Sequence, residues 1–497
     1  MLRLILAAMI LAGAASAQNL RIGLREDPDI MDPTLARTFV GRIVFASLCD
    51  KLFDINERLE IVPQLAAGHT WDDPRTLRIT LRPGVKFHDG DAMDAEAVRY
   101  SINRHLTMQG SFRRGEINTI EAVEVVDPLT VLIRLSAPSA AFLSQLTDRA
   151  GMIVSPRAAE AAGRNFGLRP VCAGPYRFVE RVAQDRIVVE RFPEYWNAAS
   201  ITIPRITYQI ITDSTVRLAN LQSGALEMVQ SIDPDDVVAV RRNNRLRMSI
   251  SDELGYQSLT INIGNGARAQ TPMGQDARVR AAFELAIDRT VINQVVYEGM
   301  YTPTAQPVPP ANPLHVAAFR PEPRNLDRAR ALLREAGMRT PVPVEMTVPN
   351  SPDLRQAAEV MQAMLREAGF ELRINTMEFA SSLQAAARGD FETYLLGWSG
   401  RVDPDGNAWT FIHSRGPQND GRYANPEVDR LLDEARLEAD PAKRRALYGQ
   451  VWDIAIRQDR SRIYLWHRKN IVAHTARLTG FSPVPDGLIR PQGLRLQ

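Results

Sequence analysis

Between Pro343 and Trp398 the chain changes hydrophobic rhythm four times. Pro343 to Val348 reads as a strand, and Leu354, Ala358, Met361 and Leu365 then fall at helical spacing up to a stop at Gly369. Leu372 and Ile374 alternate, Ser381 to Arg388 reads as a short helix, and Phe391 to Trp398 as a strand again. Parallel strands need crossover connections, usually helices, so this alternation predicts a parallel α/β sheet. Upstream, Val279, Ala282, Phe283, Ala286 and Ile287 form one helical stripe. Asn325 can cap a further helix carrying Leu326, Ala329, Leu332 and Leu333, which stops at Gly337. The pentapeptide Leu-Arg-Glu-Ala-Gly ends helices at 333–337 and 365–369, which reads as a repeated glycine stop and not as a duplicated domain. Downstream, helices at 427–438 and 442–457 lead to a strand at 462–465, and residues 300–325 read as a long Pro-rich connection.

The first half has another texture. Leu77, Ile79 and Leu81 alternate before the turn Arg82-Pro83-Gly84, and Asp94 to Leu106 has helical spacing. Val123 and Val125, then Asp127-Pro128, then Val131, Ile133 and Leu135 predict a hairpin. Residues 176–180 and 187–192 predict another. A strand-rich first half and an α/β second half, in 497 residues, fit about three domains.

With 60 Lys+Arg against 58 Asp+Glu the chain is nearly neutral, which argues against a protein that grips nucleic acid by its phosphates. At the start, Met1-Leu2-Arg3 precedes an apolar run from Leu4 to Ala12 and the small-residue end Ala15-Ser16-Ala17. This is the pattern of a cleavable secretory signal over 1–17. The run is shorter than the ~20 residues of a membrane span. Gln18, not Cys, follows the expected cut, so no lipid anchor is expected. The expected product is a soluble exported monomer. Export matters for Cys49 and Cys172, the only cysteines. In an oxidising compartment they either form a bridge, worth about 4–5 kcal/mol for so long a loop, or remain two buried thiols.

Familiar catalytic patterns are missing. No two histidines stand at i, i+4 around a Glu, and no phosphate loop or Gly-x-Ser-x-Gly elbow occurs. Residues 403–407, Asp-Pro-Asp-Gly-Asn, begin like a calcium loop, but Ala408 replaces the sixth-position glycine and Ser414 the final Glu, so a polar Pro-turn is expected. No metal and no cofactor are expected.

Several segments together resemble one family. Residues 81–90, Leu-Arg-Pro-Gly-Val-Lys-Phe-His-Asp-Gly, with Ala95-Glu96-Ala97-Val98 and Tyr100-Ser101, look like the signature of extracellular solute-binding proteins of the peptide/nickel class, the receptors of ABC importers. Ala173-Gly174-Pro175-Tyr176, Glu194-Tyr195-Trp196, residues 278–282 with 286–289, 327–337, Gly397-Trp398 with 403–405, and 425–429 continue the resemblance in order. It implies a two-lobed periplasmic binding protein fold of the α/β class, with an extra subdomain in the first lobe. The expected divisions are 18–44, 170–258 and 475–497 for the first lobe, 45–169 for the subdomain and 259–474 for the second lobe. It also implies a periplasmic receptor that closes on a small peptide-like or anionic metabolite and hands it to an ABC permease. An exported hydrolase of small peptides or esters is the rival.

Ligands of open α/β sheets lie beyond the carboxyl ends of strands. That makes Trp398, Ser399 and Gly400 candidates: an aromatic face and two small residues that let a ligand approach the backbone. Trp398 by itself also reads as core. Dipeptide-binding relatives place an Asp shortly after this Gly-Trp to hold an ammonium; here Arg401 stands at about that place. Arg401 either faces an anionic ligand or points to solvent, and Asp403 takes the acidic role if the loop shifts. Arg355 resembles the position of a carboxylate-binding Arg, with a solvated helix residue as the alternative. Tyr256 and Gln257 precede the expected first crossing between lobes, and Arg25 and Glu26 lie in the first loop.

Overall fold

The computed structural model describes residues 19–497; the expected signal over 1–17 lies outside them. Two mixed sheets carry the two lobes. The first has seven strands in the order Leu246–Asp252, Lys469–Thr475, Met228–Val229, Leu20–Leu24, Arg205–Ile210, Arg186–Arg191, Tyr176–Val182. The second has six, in the order Thr302–Pro303, Arg462–His467, Tyr256–Ile261, Thr393–Trp398, Val342–Pro349, Phe370–Met377. The strand–helix–strand stretch is parallel, as its rhythm predicts: Val342–Pro349 runs alongside both Phe370–Met377 and Thr393–Trp398. The other half of that sheet is antiparallel, with Tyr256–Ile261 lying between Thr393–Trp398 and Arg462–His467. That difference comes from the long excursions that separate these strands in the chain, which allow either direction.

Each lobe has its own apolar core. One gathers Leu20, Ile22, Val40, Phe45, Tyr176 and Tyr208 with Val472 and Leu494 from the returning tail. The other gathers Leu259, Phe283, Met346, Met361, Leu365 and Trp466. A third core, with Leu77, Ile79, Val98, Ile102 and Ile133, belongs to the subdomain. There a four-stranded antiparallel sheet (Ala66–Asp73, Thr76–Leu81, Thr130–Leu135, Ile120–Asp127) packs on helix Ala95–Thr107. Asp94 caps that helix by accepting from Ala97 N.

The chain passes between the sheets at Glu253–Gly255 and again at Arg468, several residues before the expected 258/259 and 474/475. Strand-forming residues continue straight through both crossings, so no change of composition marks them. The crossings are tied to each other. Arg468 grips Glu253 through Nε and Nη2 at 2.6 and 2.7 Å, and His467 Nδ1 donates to Gly255 O at 2.7 Å.

Cys49 and Cys172 are joined in a disulfide. The motif residue His88 sits beside it: His88 N donates to Cys172 O and the ring is 3.1 Å from Gly174 O. The motif at 81–90 thus seats the subdomain on the first lobe. The expected Pro-turn at 403–407 opens a helix, Asp405–Ile412, with Asp403 Oδ1 accepting from Asp405 N.

Candidate ligand cavity between the lobes

A cavity of about 220 Å³ lies between the lobes, where strands of both sheets end. The first lobe contributes Arg25, Glu26 and Asp27 after strand Leu20–Leu24, and Arg37, Thr38 and Phe39 at the start of helix Phe39–Leu48. The second lobe contributes Trp398 and Ser399 after strand Thr393–Trp398, and Asp353 after strand Val342–Pro349. Arg468 and Gln257 bring in the crossing region. This is the position that strand polarity predicts.

Trp398 is held from several sides. Its Nε1 donates to Asn407 Oδ1 at 3.0 Å, its ring meets Phe411 edge-on at 4.8 Å, and the Arg401 guanidinium lies 4.4 Å from its centroid. Its main chain is wedged against the first crossing. A Cβ on Gly255 would come within 1.7 Å of Trp398 O. Gly400 has φ +79°, and its Cβ would come within 2.2 Å of Leu254 C. Only glycine satisfies both the left-handed backbone and this contact at 400. Asn407 was not singled out in the sequence, yet its side chain organises the loop: besides Trp398, it accepts from Arg401 N at 2.8 Å and donates to Arg401 O at 3.2 Å.

Of the ten candidates, Trp398, Ser399, Gln257, Arg25 and Glu26 line the cavity. The others lie elsewhere. Arg401 is neither solvated nor in the cavity lining: it is buried behind Trp398, with Nε 2.7 Å from Asp148. Its stem runs over Gly406, where a Cβ would come within 2.5 Å of Arg401 Cγ. Asp403 faces away and pairs with Arg444 at 2.6 and 2.7 Å. Tyr256 is fully buried, donating to Asn407 O at 3.1 Å and packed edge-on to Tyr464. Gly400 makes the backbone bridge to Leu254. Arg355 is exposed on the outer face of its helix.

The lining divides into charges already used and charges left over. Arg37 is paired with Asp420 at 2.9 Å, Arg468 with Glu253, and Asp27 with Arg181 at 3.0 Å. Glu378 caps helix Phe379–Arg388 by accepting from Ala380 N and Ser381 N. Arg25 and Glu26 make only a loose pair at 3.8 Å, and Arg25 Nε and Glu26 Oε1 have no hydrogen-bond partner among the described residues. Gln257 Nε2 also lacks an acceptor. Asp353 accepts from the Ser351 hydroxyl and has no basic partner within ion-pair distance among the described residues. Burial raises the Glu26 carboxyl above its ordinary value, against the pull of Arg25, Arg468 and Arg217. The cavity therefore offers leftover acids and leftover donors at once. Among the described residues lining it there is no His or Cys, and Ser399 Oγ accepts from Arg42 Nη1 at 3.1 Å. A guanidinium donor cannot take a proton from that hydroxyl.

A family model described as bacterial extracellular solute-binding proteins, family 5 (middle), matches residues 60–419. The chain is 30% identical over 488 residues to the glutathione-binding protein GsiB of Salmonella paratyphi A, covering 95% of this chain and 93% of the relative. Its fold is similar to DppA of Helicobacter pylori, an ABC transporter-associated periplasmic binding protein solved with the peptide STSA: TM-score 0.88, 22% identity, 96% and 98% of the two chains covered. It is equally similar to the Escherichia coli murein tripeptide binding protein MppA, at TM-score 0.88, 22% identity and 97% and 99% coverage. Two lobes with a cavity between their strand ends, a subdomain seated by the 81–90 motif, and a family match over most of the length lead to one identification: the chain belongs to the bacterial extracellular solute-binding proteins, family 5.

Proposed function

We propose that this chain is the receptor of an ABC importer for a small, peptide-like zwitterion, and that it delivers the solute unchanged to a membrane permease. The observation that carries the reading is the mixed set of groups in the cavity: Glu26, Arg25 and Gln257 keep unpartnered polar atoms, and Asp353 has no basic partner among the described residues. An ammonium suits Asp353 and Glu26 and a carboxylate suits Arg25 and Gln257, because charge-assisted hydrogen bonds are the strong ones. Trp398 supplies an apolar face between them. A cavity of about 220 Å³ is below the ~300–1,000 Å³ of drug-sized sites, which favours short peptides and amino-acid conjugates over long peptides. The solute bridges both lobes and so favours the closed arrangement by contacts the open one lacks.

Glutathione is a fitting first probe, since a relative's name carries it and the molecule combines one ammonium with two carboxylates. Native mass spectrometry of the purified protein, followed by calorimetry with glutathione, its γ-glutamyl and glycyl fragments and a dipeptide panel, tests the reading. Saturable one-to-one binding with the solute recovered intact supports it. Turnover of any of these compounds, or binding that ignores the ammonium, overturns it.

A further inference from the structure

Behind Trp398, on the side away from the cavity, four guanidinium groups converge on two carboxylates. Asp148 Oδ2 receives Arg42 Nε at 2.9 Å and Arg401 Nε at 2.7 Å, and Asp148 Oδ1 lies 3.5 Å from Arg149 Nε. Arg113 pairs with Glu116 at 2.9 Å. The groups come from three units: Arg42 from the first lobe, Arg401 from the second, and Arg113, Glu116, Asp148 and Arg149 from the subdomain. All six residues are more than nine-tenths buried.

The cations outnumber the anions by two. Two further acids act on the cluster, Asp29 on Arg113 and Asp486 on Arg42, but the Asp29 carboxylate accepts the backbone N–H groups of Arg37 and Thr38, and Asp486 is paired with Arg490 at 2.8 Å. Arg113 Nη2 and Arg149 Nη1 both donate to the same carbonyl, Ala36 O, at 3.3 and 2.8 Å, so two like charges stand side by side. Among the described residues, five buried guanidinium nitrogens of the cluster make no hydrogen bond: Arg42 Nε and Arg149 Nε face Asp148 only as ion pairs, and Arg113 Nε, Arg149 Nη2 and Arg401 Nη2 have no acceptor. Burial, reinforced by the neighbouring guanidinium groups, pushes both Arg149 and Arg401 down to about 9. Buried charges in proteins are paired, and donors left over are costly.

We propose that Arg113, Arg149 and Arg401 form a binding site for one small anion, a halide or a carboxylate, at the junction of both lobes and the subdomain. The anion supplies the missing negative charge and the acceptors for the three free donors. It thereby ties the second lobe to the subdomain only when Arg401 is docked. Two sources share this chemistry: a free anion from solution, or an acid group of the solute reaching past Ser399, which Arg42 already touches. Only the first source is independent of which solute the cavity takes.

The test uses the mature protein freed of retained solute by unfolding, dialysis and refolding. Its thermal midpoint is followed with chloride and with acetate, at ionic strength held constant with methanesulfonate, which is neither a halide nor a carboxylate. A saturable rise with both anions supports the site and assigns it to free anions. A rise with acetate alone supports it and assigns it to an acid group of the solute. No saturable rise with either overturns it. Arg149→Gln should weaken the anion response about tenfold, the scale for one charge-assisted hydrogen bond. Asp148→Asn removes the competing carboxylate and should tighten the response by a similar factor, even though it loosens the fold. A purely structural cluster would lose stability in Asp148→Asn with no gain in anion response, and that result also overturns the site.

Discussion

The cavity lining and the wall behind it are built from the same residue types and use them in opposite ways. In the wall, Arg436 meets Asp405 through two contacts of 2.9 Å, and Arg444 meets Asp403. In the lining, Arg25, Glu26 and Gln257 keep polar atoms that the described residues do not satisfy, and Asp353 has no basic partner among them. Charges matched internally fix the relative positions of the parts. Charges left unmatched are available to something that arrives from outside. The division predicts that wall substitutions cost stability first, and lining substitutions cost binding first.

The largest effect is expected in the wall. Arg436→Ala leaves Asp405 buried without its guanidinium, and strips contacts to Asn118 and the face of Trp409. Breaking a buried pair from one side costs about 3–5 kcal/mol. Urea unfolding measures it, and a loss below 1 kcal/mol would erase the distinction drawn here.

Acid should also attack the framework before the cavity. Burial pushes His88 and His467 down to about 4 and His105 down to about 3. Unfolded imidazoles take up protons near 6.5. Their contribution is therefore fully present above that pH and is lost as pH falls through 4 toward 3, with a ceiling on the order of 3–5 kcal/mol per histidine. Unfolding midpoints at pH 7 and pH 4.5 check the sign; equal or higher stability at pH 4.5 contradicts it.

Next comes the lining. Asp353→Asn should weaken binding of an ammonium-bearing solute by about 1.5–3 kcal/mol while leaving the urea midpoint in place. Calorimetry and unfolding on one preparation separate the two readouts. The smallest effect is expected for Glu26→Gln. Because burial raises this carboxyl, its contribution to stability is present at low pH and lost as pH rises through its elevated value. Removing the charge should therefore raise stability slightly at neutral pH while reducing binding. A lower thermal midpoint in Glu26→Gln would mean that Glu26 is matched after all.

Much of this was legible in the residues. The rhythm over 343–398 gave the parallel stretch, and strand polarity took Trp398 and Ser399 to the cavity. What failed is instructive. Arg355 and Asp353 are two residues apart at one helix start, a rotation of about 200°, so one faces outward and the other lines the cavity. Nothing in the local pattern sets which. The direction of Arg401 is decided by Asp148, from a different unit of the fold, and by the bare backbone of Gly406. Partners so distant in sequence leave no spacing to read. The crossings were misplaced because their residues are strand-forming on both sides.

The place of Lys469–Thr475 has a consequence for how the molecule is made. This strand is not at an edge: it separates Leu246–Asp252 from Met228–Val229. It follows every strand of the second sheet, from Tyr256–Ile261 to Arg462–His467, in chain order. Until then the nascent first lobe carries a gap with an unpaired ladder on each side, an open invitation to wrong partners. Completion of that lobe must wait for the whole excursion through the second sheet.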